Sequence, residues 1–327
     1  MGAKISTILE CSRVFSLPMT VMSWLVVFTY ALLDSGNALY GILALVGISL
    51  AHMGTNVLDD YLDYRNLIKQ VDFDKKEYIK NSQKTKCRYL LAGVLREKQV
   101  KLLIAFYFAL AGIIGLFFYI KCGKPVLYFA ATGGFIAIFY SFFSRIKLSE
   151  IAVGIAYGPA LFGGVYYVMT NTVPFDIFIL SVPTMIMTVI LLYIHTVMDF
   201  DYDLKENHMT IANSFDSRLD SLIVLKVLLI LSYVSTALLC IFDIADWQIF
   251  LTVLTAVLAV DLYKSMFDYS NDPKSIPEHR WYHFPMENMK KIKNANAEAF
   301  MTRMYQSRNL MIYFSAILAL GLYLSSL

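Results

Sequence analysis

The chain has 327 residues, 58% of them hydrophobic and 16% charged, with mean hydropathy +0.58 and a formal net charge of +3. Those values exclude a soluble domain with a large core and describe a polytopic membrane protein. The net charge says little by itself, no nucleic-acid partner is expected, and Cys11, Cys87, Cys122 and Cys240 show neither a CxxC pair nor a zinc spacing, so they read as small apolar residues.

Nine apolar spans follow in order at 15–34, 37–60, 100–120, 125–143, 149–170, 175–199, 219–241, 245–267 and 308–327. At about 1.5 Å per helical residue, each crosses about 30 Å of hydrocarbon with some tilt. With the N-terminus in the cytoplasm, Lys121 and Lys124 are the only Lys or Arg on the far side, and the other 26 of 28 lie in cytoplasmic segments or at helix ends facing them. The positive-inside rule therefore predicts a multi-pass protein of the cell membrane with a cytoplasmic N-terminus and the C-terminus opposite. The long polar loops 64–99 and 268–307 then face the cytoplasm.

Spans 2 and 6 both run inward, and both end in acid. The first cluster is Asn56-Val57-Leu58-Asp59-Asp60-Tyr61-Leu62-Asp63, the second His195-Thr196-Val197-Met198-Asp199-Phe200-Asp201-Tyr202-Asp203. On a helix, positions 56, 60 and 63 share one face with 59 beside them, and 195, 199 and 203 share another; Asp201 points elsewhere. The plain reading is that interfacial carboxylates end each helix. Two clusters in equivalent topological positions favour a functional reading, because carboxylates at a bilayer edge are costly. Side-chain oxygens on facing walls suit Mg²⁺, and divalent cations suit a diphosphate. The clusters lie four spans apart, which predicts two four-helix repeats plus one added helix. A cation or solute transporter would place such acids near the bilayer midplane, so the edge position disfavours transport.

A diphosphate also needs cations. Lys84, Lys86 and Arg88 precede Leu91-Ala92-Gly93, Tyr140, Arg145 and Lys147 close span 4, and Lys205 follows the second cluster. Loop Lys and Arg also satisfy the positive-inside rule, so each has a purely topological explanation; Arg88 and Lys147 are favoured. Asn66, Asp72, His208 and Thr210 extend the two loops, and His52 lies one turn above Asn56. His279 and His283 have a metal-like spacing without a further ligand set and read as part of an interfacial aromatic-basic belt. Gly133-Gly134, Gly154, Gly158 and Gly163-Gly164 are expected at close helix contacts. Walker, dinucleotide and nucleophile-elbow motifs are absent from the sequence.

These motifs resemble the UbiA superfamily of intramembrane aromatic prenyltransferases, and within it the 1,4-dihydroxy-2-naphthoate prenyltransferases of menaquinone synthesis. The resemblance rests on Arg13-Val14-Phe15-Ser16-Leu17-Pro18, on Asp59-Asp60-Tyr61-Leu62-Asp63-Tyr64-Arg65 preceded by Asn56, on Ser149-Glu150 with Tyr157-Gly158-Pro159 and Gly164-Val165-Tyr166-Tyr167-Val168, and on Asp199-x-x-x-Asp203 with Thr210. The chain departs from the pattern at Asp59 (usually Asn), at His195 and Thr196 (usually an Asn pair), at Met198 (Arg) and at Asn207 (Gly).

The resemblance implies an all-α membrane bundle around a central cavity, with 1–327 forming a single transmembrane prenyltransferase domain. It also implies transfer of a polyprenyl group from its diphosphate to an aromatic acceptor, with other acceptors (4-hydroxybenzoate, a glycerol phosphate lipid, a tetrapyrrole) as alternatives. Mg²⁺ is the expected cofactor, held among Asn56, Asp59, Asp60, Asp63, Asp199 and Asp203. Asp60, Asp63, Asp199, Asp203 and Lys147 are the expected catalytic residues. Asn56, Arg88, Tyr140, Arg145, Lys205 and His195 are expected to bind substrate.

Overall fold

The structure, a computed structural model, describes residues 5–69, 87–205, 209–294 and 296–326; the side chains of Lys205 and Lys291 are not described. Asp72, Lys75, Lys84, Lys86, Asn207 and His208 therefore lie outside the described residues, as does the side chain of Lys205. The described chain is all helix and loop. Nine helices in it are long and apolar enough to cross a membrane: α1 (Val14–Leu33), α2 (Ala38–Leu67), α3 (Glu97–Cys122), α4 (Pro125–Phe143), α5 (Ser149–Thr170), α6 (Asp176–Met198), α7 (Arg218–Ile241), α8 (Trp247–Asn271) and α9 (Glu298–Ser325). This is a multi-pass membrane protein.

The most extensive packing joins α2 to α3, α6 to α7, and α9 to both α1 and the start of α8. The pairing of α2 with α3 and of α6 with α7 is what a repeat of a four-helix unit would produce. Helices α5, α6 and α9 bury most of their apolar windows inside the bundle, whereas α3 and α4 leave theirs largely uncovered. The main core runs through α1, α5, α6, α7 and α9, with Val26, Phe162, Leu180, Tyr193, Leu225 and Phe314 fully buried.

Helix α2 has 30 residues, which at 1.5 Å each is about 45 Å, longer than the hydrocarbon is thick. Its last turns, which carry the first acid cluster, are therefore more than the crossing needs. An ionic knot fixes that end: Glu97 Oε1 accepts from the Tyr61 hydroxyl (2.7 Å) and from Arg65 Nη1 (3.1 Å), and pairs with Lys101 Nζ (3.0 Å). Tyr61 and Arg65 thus tie one face of α2 to the start of α3, leaving Asn56, Asp60 and Asp63 to the cavity wall.

Helix α9 begins at Glu298, ten residues before the expected start of span 9. Arg303 and Arg308 depress hydropathy there, yet both are buried. The Arg303 guanidinium donates to the carbonyls of Ser265, Ser275 and Ala299 (2.8 Å each) and stacks on Tyr269 at 4.8 Å. Arg308 donates to Glu287 Oε2 at 2.9 Å and to the Pro285 carbonyl at 2.7 Å. Arg303 is satisfied by α8, the loop after it and its own helix, and Arg308 by Glu287 and Pro285 of that loop, so the helix continues through them.

The second cluster is not one continuous helix. Helix α6 stops at Met198, Asp199 is its cap, and a short helix, Phe200–Lys205, carries Asp203. The turn between them is tight, with Asp203 N donating to the Asp199 carbonyl at 2.9 Å, so both carboxylates still reach the same wall.

Gly154, Gly158, Gly163 and Gly164 do meet neighbours: a Cβ would approach Val189, Met185 or Phe129 within 2.4–3.4 Å. Gly133 and Gly134 correct the expectation. A Cβ at either meets nothing within 4 Å, because both line the cavity instead of a helix contact.

Candidate active site

A cavity of about 2090 Å³ occupies the bundle. That is well above the usual range of roughly 300–1,000 Å³ for one small ligand. Both acid clusters line it: Asn56, Asp60 and Asp63 from α2, and His195, Asp199 and Asp203 from the end of α6 and the short helix after it. Asp60, Asp199 and Asp203 are only 4–7% exposed, and His195 Nδ1 lies 3.4 Å from Asp199 Oδ2. Arg88, Tyr140 and Arg145 line it as well. The residues that the two spacings pick out thus line one cavity.

Two expected residues stand off that wall. Asp59 is buried behind it, 3.7 Å from Arg13 Nη2. Lys147 donates to Ser214 Oγ at 2.9 Å and fastens the α4–α5 corner to the segment following the second cluster. Asp201, expected to point away, does so, and pairs with Arg218 Nη2 at 2.6 Å. His283 is buried with Nε2 3.5 Å from Asp261, and His279 is 3.7 Å from Glu298, so each has a local partner.

Arg13 and Tyr89 were not legible as site residues. Arg13 sits in a left-handed backbone conformation (φ 49°) just before α1, donates to Asp60, and lines the cavity. Tyr89 lies in the short helix Arg88–Leu91, which Leu90, Leu91 and Leu95 anchor in a second apolar cluster with Cys11 and Val57. Its hydroxyl is buried on the cavity wall without a hydrogen-bond partner among the described residues. Burial, then the Asp60 charge, raise its pKa well above the usual phenol value, so it stays protonated and able to donate.

The rest of the cavity is apolar and long. It follows α4 from Val126 to Tyr140, about 21 Å at 1.5 Å per residue, against Phe108 to Tyr119 of α3. Its wall at α5 includes Tyr157, carried by one π turn, Ala156–Ala160, around Pro159. An acidic, cation-rimmed end joined to an apolar channel accommodates a charged headgroup and a hydrocarbon tail in one molecule.

The model of the UbiA prenyltransferase family matches residues 17–284. The chain belongs to the UbiA prenyltransferase family. It is a membrane prenyltransferase, and its fold is shared with solved UbiA-type proteins. Digeranylgeranylglyceryl phosphate synthase aligns with TM-score 0.60 and 14% identity over 98% of each chain. The apo structure of a UbiA homologue from Aeropyrum pernix K1 gives 0.60 and 15% over 94% of this chain and 98% of that one. A UbiA homologue from Archaeoglobus fulgidus bound to GPP and Mg²⁺ gives 0.56 and 12% over 95% and 99%. No curated protein sequence matches the chain.

Among the described residues, no three His, Cys, Asp or Glu side chains are grouped to hold a metal by themselves. The donor set on both walls is dominated by oxygen, as a hard cation requires.

Proposed function

We propose that this UbiA-family enzyme moves a polyprenyl group from its diphosphate to an aromatic acceptor, 1,4-dihydroxy-2-naphthoate, at the cytoplasmic end of the cavity. The observation that carries the reading is that Asn56, Asp60 and Asp63 line the same cavity as Asp199 and Asp203, together with an apolar channel. These five residues would hold Mg²⁺, which neutralises charge on a departing diphosphate. The Archaeoglobus fulgidus homologue, bound to GPP and Mg²⁺, supports that cofactor by likeness.

The chain's own residues then have distinct tasks. Arg88 and Arg145 rim the headgroup end and add positive charge, while Tyr89 and Tyr140 offer hydroxyl donors. As the allylic C–O bond breaks, the leaving group is diphosphate; an electron-rich ring forms the new C–C bond to the allylic carbon and regains aromaticity by losing the substituent at the attacked carbon, a proton or, at the carboxylated position, CO2. The apolar walls exclude water that would otherwise capture the cation. Lys147 is outside this set because its ammonium is fastened to Ser214. A site in the bilayer has a direct reason, since the isoprenoid tail partitions into lipid.

The acceptor is tested by offering the purified enzyme one prenyl diphosphate and several acceptors, with mass spectrometry of the products. The naphthoate is expected to be prenylated. Exclusive use of 4-hydroxybenzoate or a glycerol phosphate lipid, the acceptor class the synthase neighbour's name brings to mind, overturns the acceptor and leaves the transferase. His195, beside Asp199 and edge-on to Phe300 at 5.5 Å, stands where the resemblance expects Asn. If it serves the metal set, His195→Asn retains activity and His195→Ala loses most of it with a raised Mg²⁺ requirement. Turnover within a few-fold of the unsubstituted enzyme in both variants assigns it to packing.

The orientation follows from the same reading. In a cysteine-free background, Lys274→Cys is expected to react with an impermeant thiol reagent from the cytoplasmic side, and Lys124→Cys from the opposite side. Both native residues are exposed. Labelling of both from one side overturns it.

A further inference from the structure

The hydrogen bonds around Asn56 decide which of its two amide atoms faces the cavity. The Ser12 carbonyl can only accept, so the Asn56 nitrogen must be the atom that meets it, at 3.1 Å. The second N–H of that nitrogen goes to Ser16 Oγ at 3.2 Å. Ser16 has one hydroxyl proton and gives it to the Arg13 carbonyl at 2.7 Å, again an obligate acceptor. Ser16 Oγ must therefore accept from Asn56 and also from His52 Nε2, 2.9 Å away. That places the ring proton of neutral His52 on Nε2. Its bare Nδ1 lies 2.7 Å from the Thr20 hydroxyl and 2.9 Å from the Tyr157 hydroxyl, and its one lone pair accepts from one of them. Both N–H groups of Asn56 are thereby taken, and its carbonyl oxygen is the atom left for the cavity that Asn56 lines.

We propose that Ser16 and His52 are positioning residues that lock the Asn56 amide with its carbonyl oxygen toward the cation site. This rests on the reading of Asn56 as a Mg²⁺ ligand given above. A free amide rotates readily, and its two ends are opposite in effect: oxygen attracts a divalent cation, whereas N–H repels it. The lock draws on three elements: Ser16 and Thr20 at the start of α1, His52 one turn from Asn56 on α2, and Tyr157 on the π turn of α5. Outer partners that fix a ligand's orientation typically contribute about 10–100-fold in metal affinity.

The test measures Mn²⁺ binding by electron paramagnetic resonance on the full-length protein, in the presence of an unreactive thio analogue of geranyl diphosphate. Ser16→Ala and His52→Phe are each expected to weaken Mn²⁺ binding about tenfold or more. Adding Asn56→Asp to Ser16→Ala is expected to restore binding to within about threefold, because two equivalent oxygens need no orienting. A purely structural role would lower the melting temperature without changing Mn²⁺ affinity and would not be rescued. Affinity within about twofold of the unsubstituted protein in the folded variants overturns the proposal. If Ser16→Ala does not fold, His52→Phe is judged alone by the same criterion. Failure of the unsubstituted protein to bind Mn²⁺ overturns the metal reading and this inference together. Loss of binding in Asp60→Asn and Asp199→Asn but not in the Ser16 and His52 variants overturns this inference only.

Discussion

Replacing any one of Asp60, Asp63, Asp199 or Asp203 by asparagine is expected to lower turnover at least about a hundredfold, the scale on which a charge-stabilising group is lost from a preorganised site. Asparagine keeps the shape of each side chain and removes its charge, so the effect isolates electrostatics from packing. All four carboxylates line one end of the cavity, and three of them are nearly inaccessible to solvent. The loss should therefore appear as slower transfer in detergent or nanodiscs while the melting temperature changes little. Chelation with EDTA should abolish product formation and Mg²⁺ should restore it; full activity in EDTA would sink the metal reading. Asp60→Asn should have a second consequence, since Arg13 then loses the carboxylate it donates to and has Asp59 at 3.7 Å. Arg13→Ala should accordingly be milder than Asp60→Asn, as it removes a counterion and not a cation ligand.

How much of this site was readable beforehand depended on whether its residues are neighbours along a helix. Asn56, Asp60 and Asp63 were legible because a single α-helix fixes their common face, and α2 is unbroken there. The second cluster was legible for a less secure reason. Its i, i+4, i+8 spacing assumed a helix that in fact stops at Asp199, and the tight turn after it happens to preserve the common wall. Arg13 was illegible as a site residue because it reaches Asp60 across 47 positions, from a left-handed residue that no periodicity marks. The start of α9 was missed because hydropathy counts Arg303 and Arg308 as polar, whereas loop carbonyls, a glutamate and the Tyr269 ring satisfy them in the interior. Lys147 shows the converse error: a basic residue at the right end of a span says nothing about which way its ammonium turns.

The glycines expected at helix contacts lead to the second large effect. Gly115 on α3 and Gly134 on α4 both line the apolar channel, and a Cβ at either meets no atom within 4 Å. A bulky side chain there enters the channel instead of a packed neighbour, and removing glycine from a helix interior does not weaken the helix. Gly134→Trp and Gly115→Phe should therefore fold normally and shorten the space available to a tail. Their expected signature is a change in specificity: use of a forty-carbon prenyl diphosphate should fall roughly tenfold to a hundredfold relative to geranyl diphosphate, the scale on which apolar pockets discriminate by shape. The short substrate needs only the part of the channel near the acid clusters, so its turnover should change little. Competition between the two diphosphates, followed by the mass of the product, measures the ratio directly. An unchanged ratio in both variants would mean that the tail leaves the cavity before reaching α3 and α4, and runs through lipid instead of along the channel.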